Sequence, residues 1–529
     1  MTVQNEPPNR DAVTTAAVNG CCAPAEQVSC CDASAKAGCC GTEAIGSSGC
    51  GCQVGDAAEE TATPVPVTRE QAPETSGSPA AGSAGLPVVV IGAGPVGLAA
   101  AAHLLERGLE PLVVEAGDRV GAAVSEWGHV PLFSPWAYDI DAAAARLLAK
   151  TGWVTPDPAE LPTGRDLVEK YLAPLAATPE LAGRIRTGAR VVAVTRHGVD
   201  KTRTVGRDGR LYLVRIDTPA GVTDVIASAV IDASGSWGRS NPLGASGLPA
   251  VGETDSKPWL SGPLPDVLGR DRERFAGRRV LVVGMGHSAA NTLLSLVRLR
   301  EQEPATRVTW AIRAASPARL YGGGDTDELP ARGALGTSLK AAVQSGVVTL
   351  LRETAISRFA AGPDGALQVT AISADGVGVL DLDVVVGATG FRPDLDMLRE
   401  VRLDLDPAVE APSKLAPLID PNFHSCGTVP PHGASMLAHP DDGLYLVGMK
   451  SYGRAPTFLL ATGYEQVRSV AAALAGDQEA ANRVELQLPA TGVCNARPAA
   501  DTELLTIGFR SGTEHGYSVS GDAPEVAAA

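Results

Sequence analysis

Val88-Val-Val-Ile91 followed by Gly92-Ala-Gly94-Pro-Val-Gly97 is the stretch on which the reading of this chain turns. Four consecutive β-branched residues suit a short strand buried on both faces. The apolar run Leu98–Leu105 after the glycines predicts a helix. Gly92 permits the tight turn between them. Gly94 removes a side chain where a pyrophosphate must approach the backbone, and Gly97 lets helix and strand pack closely. The helix start, with Pro95 and Val96 in the turn, offers free N–H groups and a positive dipole end to phosphate. A second strand, Pro111-Leu-Val-Val114, ends at Glu115, 23 residues after Gly92. An acid there would bind an adenosine ribose hydroxyl. Strand, helix, strand and acid in this order predict a dinucleotide-binding unit.

The 529 residues suffice for two or three domains and a large core. The formal net charge of −16 argues against nucleic acid or an anionic membrane surface as the main partner. No apolar run approaches the roughly 20 residues needed to span a bilayer. The start of the chain has neither the basic nor the apolar region of a signal peptide. A soluble, cytoplasmic protein is expected, with its thiols mostly reduced.

Residues 1–86 differ from the rest. They are rich in Ala, Gly, Ser, Thr, Pro and Glu and lack any sustained period, so they are expected to form a disordered arm and linker. Eight of the ten cysteines lie in it: Cys21-Cys22, Cys30-Cys31 and Cys39-Cys40, spaced every nine residues, then Cys50 and Cys52. Thiolates at this density suit thiophilic ions such as Zn(II), Cu(I) or trivalent arsenic. The spacing is not that of a zinc finger. Two readings stand side by side: specific capture of a soft ion, and a low-complexity tail that scavenges metal without a defined site.

After Glu115 come Trp127 and Leu132-Phe-Ser-Pro-Trp-Ala-Tyr138, aromatics that would flank a flat ring or simply fill a core. Gly164–Ala177 reads as an amphipathic helix. Arg190–Thr195, Leu211–Ile216 and Val225–Ile231 read as strands, the last running into Asp232-Ala-Ser-Gly235. Pro- and Gly-rich segments from Asn241 to Gly269 suggest a crossing between domains.

Arg279-Val-Leu-Val-Val283 opens a second such unit with Gly284-Met-Gly286-His287-Ser288-Ala289. The alanine is tolerated at the third small position. The next strand, Arg307–Ile312, ends at Arg313, a cation where the first unit has an acid. A ribose carrying a 2′-phosphate needs a cation, so NADPH is expected here rather than NADH. The alternative is a solvated surface arginine. Leu382–Gly387 and Ala388-Thr389-Gly390 repeat the strand-then-small-turn pattern of Ile231–Gly235, and such turns would return the chain between domains. Gly443–Gly448 predicts another buried strand, leading to Met449–Arg454 and a helix from Ala455 onward.

Two dinucleotide units, one acid-tagged and one arginine-tagged, imply FAD plus NADPH, with hydride passing to the flavin and from it to an acceptor. The candidate cofactor residues are Gly92, Gly94, Pro95, Val96, Gly97, Glu115, Gly235 and Gly448 for the first site. For the second they are Gly284, Gly286, His287, Ser288 and Arg313, with Thr389 in the return turn between the domains a further candidate. No cysteine falls between Cys52 and Cys426, and Cys426 and Cys494 stand alone. That argues against a disulfide reductase and favours a monooxygenase with dioxygen as co-substrate. Lys450 and Arg454 come after the last strand, where open α/β sheets collect ligands. They would either bind an anionic substrate or pair with Asp or Glu.

From about Leu86 to about Gly476 the chain resembles two-dinucleotide-domain flavin-dependent monooxygenases, and within them the ArsO-type flavoproteins of arsenic-resistance operons. The broader likeness rests on Val90–Gly97, Gly284–Ala289 and Ala388–Gly390. The narrower one rests on Tyr321–Gly324, Asp420–Gly427 and Lys450–Phe458. The resemblance implies FAD, NADPH, dioxygen and oxygenation of a small soft-centre substrate, with a trivalent arsenical the one that fits the cysteine arm. The alternatives are an NADPH-dependent quinone or metal reductase, or a thiol metal-binding protein on a flavoprotein scaffold. Two departures stand out. Residues 240–270 hold no histidine, so the family's FxGxxxH fingerprint is absent. Gly448 is followed by Met449 where many relatives have Asp. The fold class is α/β, with two Rossmann-like domains, the second inserted in the first. The expected order is the arm at 1–86, FAD domain at 87–270, NADPH domain at 275–380, FAD domain again at 381–485, and a C-terminal tail at 486–529.

Overall fold

Two parallel five-stranded sheets carry the structure. The computed structural model describes residues 85–322, 330–422, 429–456 and 458–486. All of these belong to one unit, Ser76–Ala529. The arm with its eight cysteines, Cys426 and Cys494 lie outside the described residues.

The first sheet has the order Leu444–Leu446, Ala229–Asp232, Val88–Ile91, Pro111–Val114, Ile185–Arg186. Every neighbour is parallel, with Val88 opposite Pro111 and Ile91 opposite both Val114 and Asp232. All four residues of the central strand are buried, as a sheet covered on both faces requires. The helix Pro95–Glu106 comes next, with proline at its start and every residue from Val96 to Leu104 buried. It is apolar all round because it lies inside the protein, packed between the sheet and the helix Leu460–Leu474.

The second sheet has the order Val348–Leu351, Arg307–Ala311, Arg279–Val283, Val384–Gly387, Leu260–Ser261, again all parallel. Each sheet carries a three-stranded antiparallel meander: Arg190–Arg196, Tyr212–Thr218 and Gly221–Ala227 beside the first, Ala355–Ala361, Leu367–Ser373 and Gly376–Leu382 beside the second. The two halves thus share one plan, a strand–helix–strand unit, a meander and a return strand. Among the described residues no helix is long and apolar enough to cross a membrane.

Several expectations need correction in detail. The run Val225–Ile231 is two strands, because the chain leaves the meander at Ala227 and enters the parallel sheet at Ala229. The second sheet claims Leu260–Ser261 and Val384–Gly387, so the crossings fall nearer 236–242 and 388–392 than at 270 and 381. The helix after Gly448 begins at Leu460, not Ala455. A 3₁₀ turn, Gly448–Tyr452, intervenes because Lys450, Ser451 and Tyr452 all turn inward. Gly164–Ala176 is one helical run with a π-helical segment at Leu167–Leu172.

The crossing strands are laced together. Asn241 N donates to the Gly390 carbonyl (2.9 Å) and Arg392 N to the Arg239 carbonyl (3.0 Å), with Ser240 bridged to Phe391. Thr389 Oγ1 donates to the Asn241 carbonyl at 2.6 Å.

Candidate functional site

The first glycine turn has the shape its sequence demands. Gly92 has φ +100°, and a Cβ there would lie 2.9 Å from the Ala233 carbonyl oxygen. A Cβ on Gly97 would lie 2.0 Å from the Gly92 carbonyl oxygen. A Cβ on Gly94 would meet nothing within 4 Å. Gly92 and Gly97 are therefore glycine for packing, whereas Gly94 faces open space above the start of the helix. The N–H groups of Val96 and Gly97 lie in the first helical turn, where no intrahelical acceptor exists. Glu115 closes the far side: its Oε2 accepts from Ala93 N and its Oε1 from Gly117 N, both at 2.7 Å. Each oxygen keeps acceptor capacity for a ribose hydroxyl. An open glycine, free N–H groups and a carboxylate fit the diphosphate and ribose of FAD.

The second turn repeats this. Gly284 has φ +128°, and its Cβ would lie 2.0 Å from the Ala388 carbonyl oxygen, whereas Gly286 is open. The helix His287–Gln302 starts there, with Ala289 fully buried against the sheet. Arg313 is exposed just past the strand Arg307–Ala311, and its Nη1 donates to the Ala245 carbonyl at 2.9 Å. Among the described residues four of its five donors stay available, which fits a 2′-phosphate. The Thr389 hydroxyl, another candidate cofactor contact, donates to the Asn241 carbonyl in the crossing.

The turn after the last strand closes over the first site. Gly448 has φ +65°, its N–H donates to Gln466 Oε1 (2.7 Å), and its Cβ would press on Val96 at 3.2 Å. Gln466 Nε2 donates to Ser451 Oγ (3.0 Å) and to His432 Nε2 (2.8 Å). His432 therefore carries its proton on Nδ1, which donates to the Pro430 carbonyl at 3.0 Å. Burial holds its imidazole below the ordinary value, consistent with a neutral ring.

Lys450 pairs with an acid, one of its two expected roles. Its ammonium is wholly buried, 2.6 Å from Asp232 Oδ2 and 2.9 Å from Ser234 Oγ. Asp232 Oδ2 makes no aligned hydrogen bond and is held by that charge alone. Arg454, in contrast, is exposed, and its side chain has no ion-pair partner among the described residues. Asp232 and Gln466 escaped the sequence reading, although an acid ending an apolar strand at Asp232 was visible. Gly235, also expected here, has φ +68° and open space at its Cβ position. The stretches Tyr321–Gly324 and Asp420–Gly427 lie partly outside the described residues.

Aromatic and polar contacts join the two halves near the second turn and the crossing. Phe133 packs on His287 with centroids 5.1 Å apart. Trp237 sits between Trp127 (6.4 Å) and Phe391 (5.1 Å) and donates from Nε1 to Glu126 Oε2 at 2.7 Å. Trp136 is core, as ordinary packing would have it. The described residues contain no cysteine and no cluster of three or more His, Cys, Asp or Glu side chains able to hold a metal.

Residues 90–152 match the NAD(P)-binding Rossmann-like domain family. A ferredoxin–NADP reductase of Ralstonia pickettii (strain 12J) is 28% identical over 309 residues, 58% of this chain and 68% of that protein. Among solved structures, the bacillithiol disulfide reductase Bdr from Bacillus cereus superposes with a TM-score of 0.55 at 19% identity, over 74% of this chain and 99% of that one. The cadaverine monooxygenase of the desferrioxamine pathway from Erwinia amylovora, bound to FAD, gives 0.52 at 14% identity, over 76% and 97%. At these identities the structural likeness is one of fold. The matches and the two glycine turns together support a flavin-dependent NADPH oxidoreductase with FAD and NADPH as its cofactors.

Proposed function

We propose that this chain is a monooxygenase that uses FAD at the first turn and NADPH at the second, and that it oxygenates a small soft-centre substrate, a trivalent arsenical. The observation that carries the class is one of sequence: no cysteine occurs between Cys52 and Cys426, the span that holds both dinucleotide turns, and Cys426 and Cys494 stand alone. A flavin disulfide reductase usually takes electrons from the flavin through a cysteine pair in the folded body, whereas dioxygen needs no protein nucleophile. When bound, the flavin accepts hydride from NADPH and returns the electrons to an acceptor. The chain supplies binding and orientation. The N–H groups of Val96 and Gly97 hold the first pyrophosphate, Glu115 holds the ribose, and those of His287 and Ser288 hold the second pyrophosphate. Arg313 selects the 2′-phosphate. The arsenical is supported by the vicinal cysteines at nine-residue spacing and by the likeness of Lys450–Phe458 to arsenic-resistance flavoproteins.

A second reading has one specific observation behind it, the 28% identity to a ferredoxin–NADP reductase. In that reading the chain passes electrons to a separate acceptor and uses dioxygen only by leakage. Coupling decides. NADPH oxidation by the FAD-loaded protein is followed with labelled dioxygen, with and without trivalent arsenicals. Incorporation of label, with peroxide release falling as substrate rises, is expected. NADPH consumption that stays fully uncoupled with every arsenical tried would leave the reductase reading in possession.

A further inference from the structure

Two loops flank the first glycine turn, and no backbone bond joins one to the other. Ala233–Gly235 leaves the strand Ala229–Asp232 and presses on Gly92, where a Cβ would lie 2.9 Å from the Ala233 oxygen and 3.0 Å from Ser234 Cα. Gly448–Tyr452 leaves the neighbouring strand and presses on Val96. The last backbone bond between these strands is Val447 N to the Asp232 carbonyl, 3.0 Å. Beyond it the chains fork, at the carboxyl ends of a parallel sheet, where open α/β folds bind ligands. The Lys450 ammonium sits in the fork. It reaches Asp232 Oδ2 at 2.6 Å and Ser234 Oγ at 2.9 Å. Asp232 Oδ1 in turn accepts from Ser234 N (3.1 Å) and Ser234 Oγ (2.6 Å).

We propose that Lys450 is a positioning residue of the first nucleotide site: with Asp232 and Ser234 it staples the two loops that press on Gly92 and Val96, so FAD retention depends on a side chain that need not touch FAD. Stability alone does not account for the charges. A buried ion pair adds little over apolar residues of the same volume. The triad does supply a fixed distance across the fork, and with it the place of Ala233 and Ser234 against Gly92. This rests on the reading of the first turn as the FAD site.

The test uses the full chain. Lys450→Met alone strands a buried carboxylate and is expected to damage folding. The double variant Asp232→Asn with Lys450→Met removes both charges, and Ser234→Ala keeps the ion pair and the Ser234 N–H to Asp232 bond while removing the hydroxyl that Lys450 and Asp232 share. Apoprotein melting temperature, FAD dissociation constant by flavin fluorescence, and NADP⁺ binding are measured for each. The double variant is expected to melt close to wild type and bind NADP⁺ unchanged, yet hold FAD about tenfold more weakly or worse, a loss of the size a single lost contact brings. Ser234→Ala should release FAD several-fold faster. FAD held as tightly as wild type by either folded variant would overturn the inference. So would loss of NADP⁺ binding in step with FAD, which marks general unfolding. A wild-type protein that takes up no FAD at all would instead bring down the reading of the first turn.

Discussion

Single residues divide here into those whose role is local and those whose role depends on distant partners. Gly92, Gly94 and Gly97 were legible because a tight turn and a close approach are needs of their own few neighbours. For Lys450 pairing with an acid was one of two open readings, but its partners were not legible, since Ser234 lies 216 residues away. Asp139 belongs to the second kind as well. It is fully buried, its Oδ1 accepts from Ser134 Oγ at 2.7 Å, and its Oδ2 has no hydrogen-bond partner. Burial pushes its carboxyl up to about 7. The folded state therefore keeps a proton that the unfolded chain gives up near pH 4, so this group's contribution is intact in acid and is lost as pH rises through about 7. Asp139→Asn should thus gain on wild type between pH 5 and pH 8.5, by on the order of 2 kcal/mol, read as melting temperature against pH. Parallel curves for the two proteins would show that Asp139 is not the group responsible. His439 works in the other sense. Burial lowers it to about 4, so stability falls as pH drops from about 6.5 toward that value.

Elements were legible where one period or one motif decides them. The parallel strands Val88–Ile91 and Arg279–Val283 read directly as apolar runs, and the helices behind them as the ordinary continuation of a glycine turn. Boundaries set by tertiary contacts were not. The break at Ser228 exists because one segment serves two sheets, and the late start of the last helix at Leu460 results from the inward-facing turn Gly448–Tyr452. At this scale Arg313 belongs to the end of its strand, where the first unit places Glu115. Arg313→Ala should raise the KM for NADPH by about one to two orders of magnitude, the loss of a charge-assisted contact of ~1.5–3 kcal/mol, and leave NADH almost unchanged. Steady-state kinetics with both nucleotides check this. Equal loss for both would make Arg313 structural, held by the Ala245 carbonyl alone.

At the scale of the whole molecule the α/β plan with one dinucleotide unit inserted in another was readable, because two glycine turns and two small-residue returns, taken in order, require it. How the halves are tied was not readable, since the lacing of 239–241 with 389–392 joins residues far apart in sequence. The cysteine-bearing residues 1–84 lie outside the described structure, and their proposed part is to gather a thiophilic ion near the flavin. A tether of that composition gives an effective concentration of roughly millimolar or below. Their removal should leave FAD content and maximal rate unchanged and raise the arsenical concentration needed for half-maximal rate. An unchanged requirement would make the arm a bystander, and lost FAD would place the domain boundary too late.

The lacing carries a consequence for how such a protein can be rebuilt. The second lobe leaves at Ser240 and comes back at Phe391, and these two positions already sit side by side as a bridge. Topologically the lobe is a closed excursion from a single doorway in the first. The sheet that holds the first glycine turn borrows no strand from it. A short graft across that doorway would therefore leave the remaining fold continuous, and a different excursion could be sewn into the same seam.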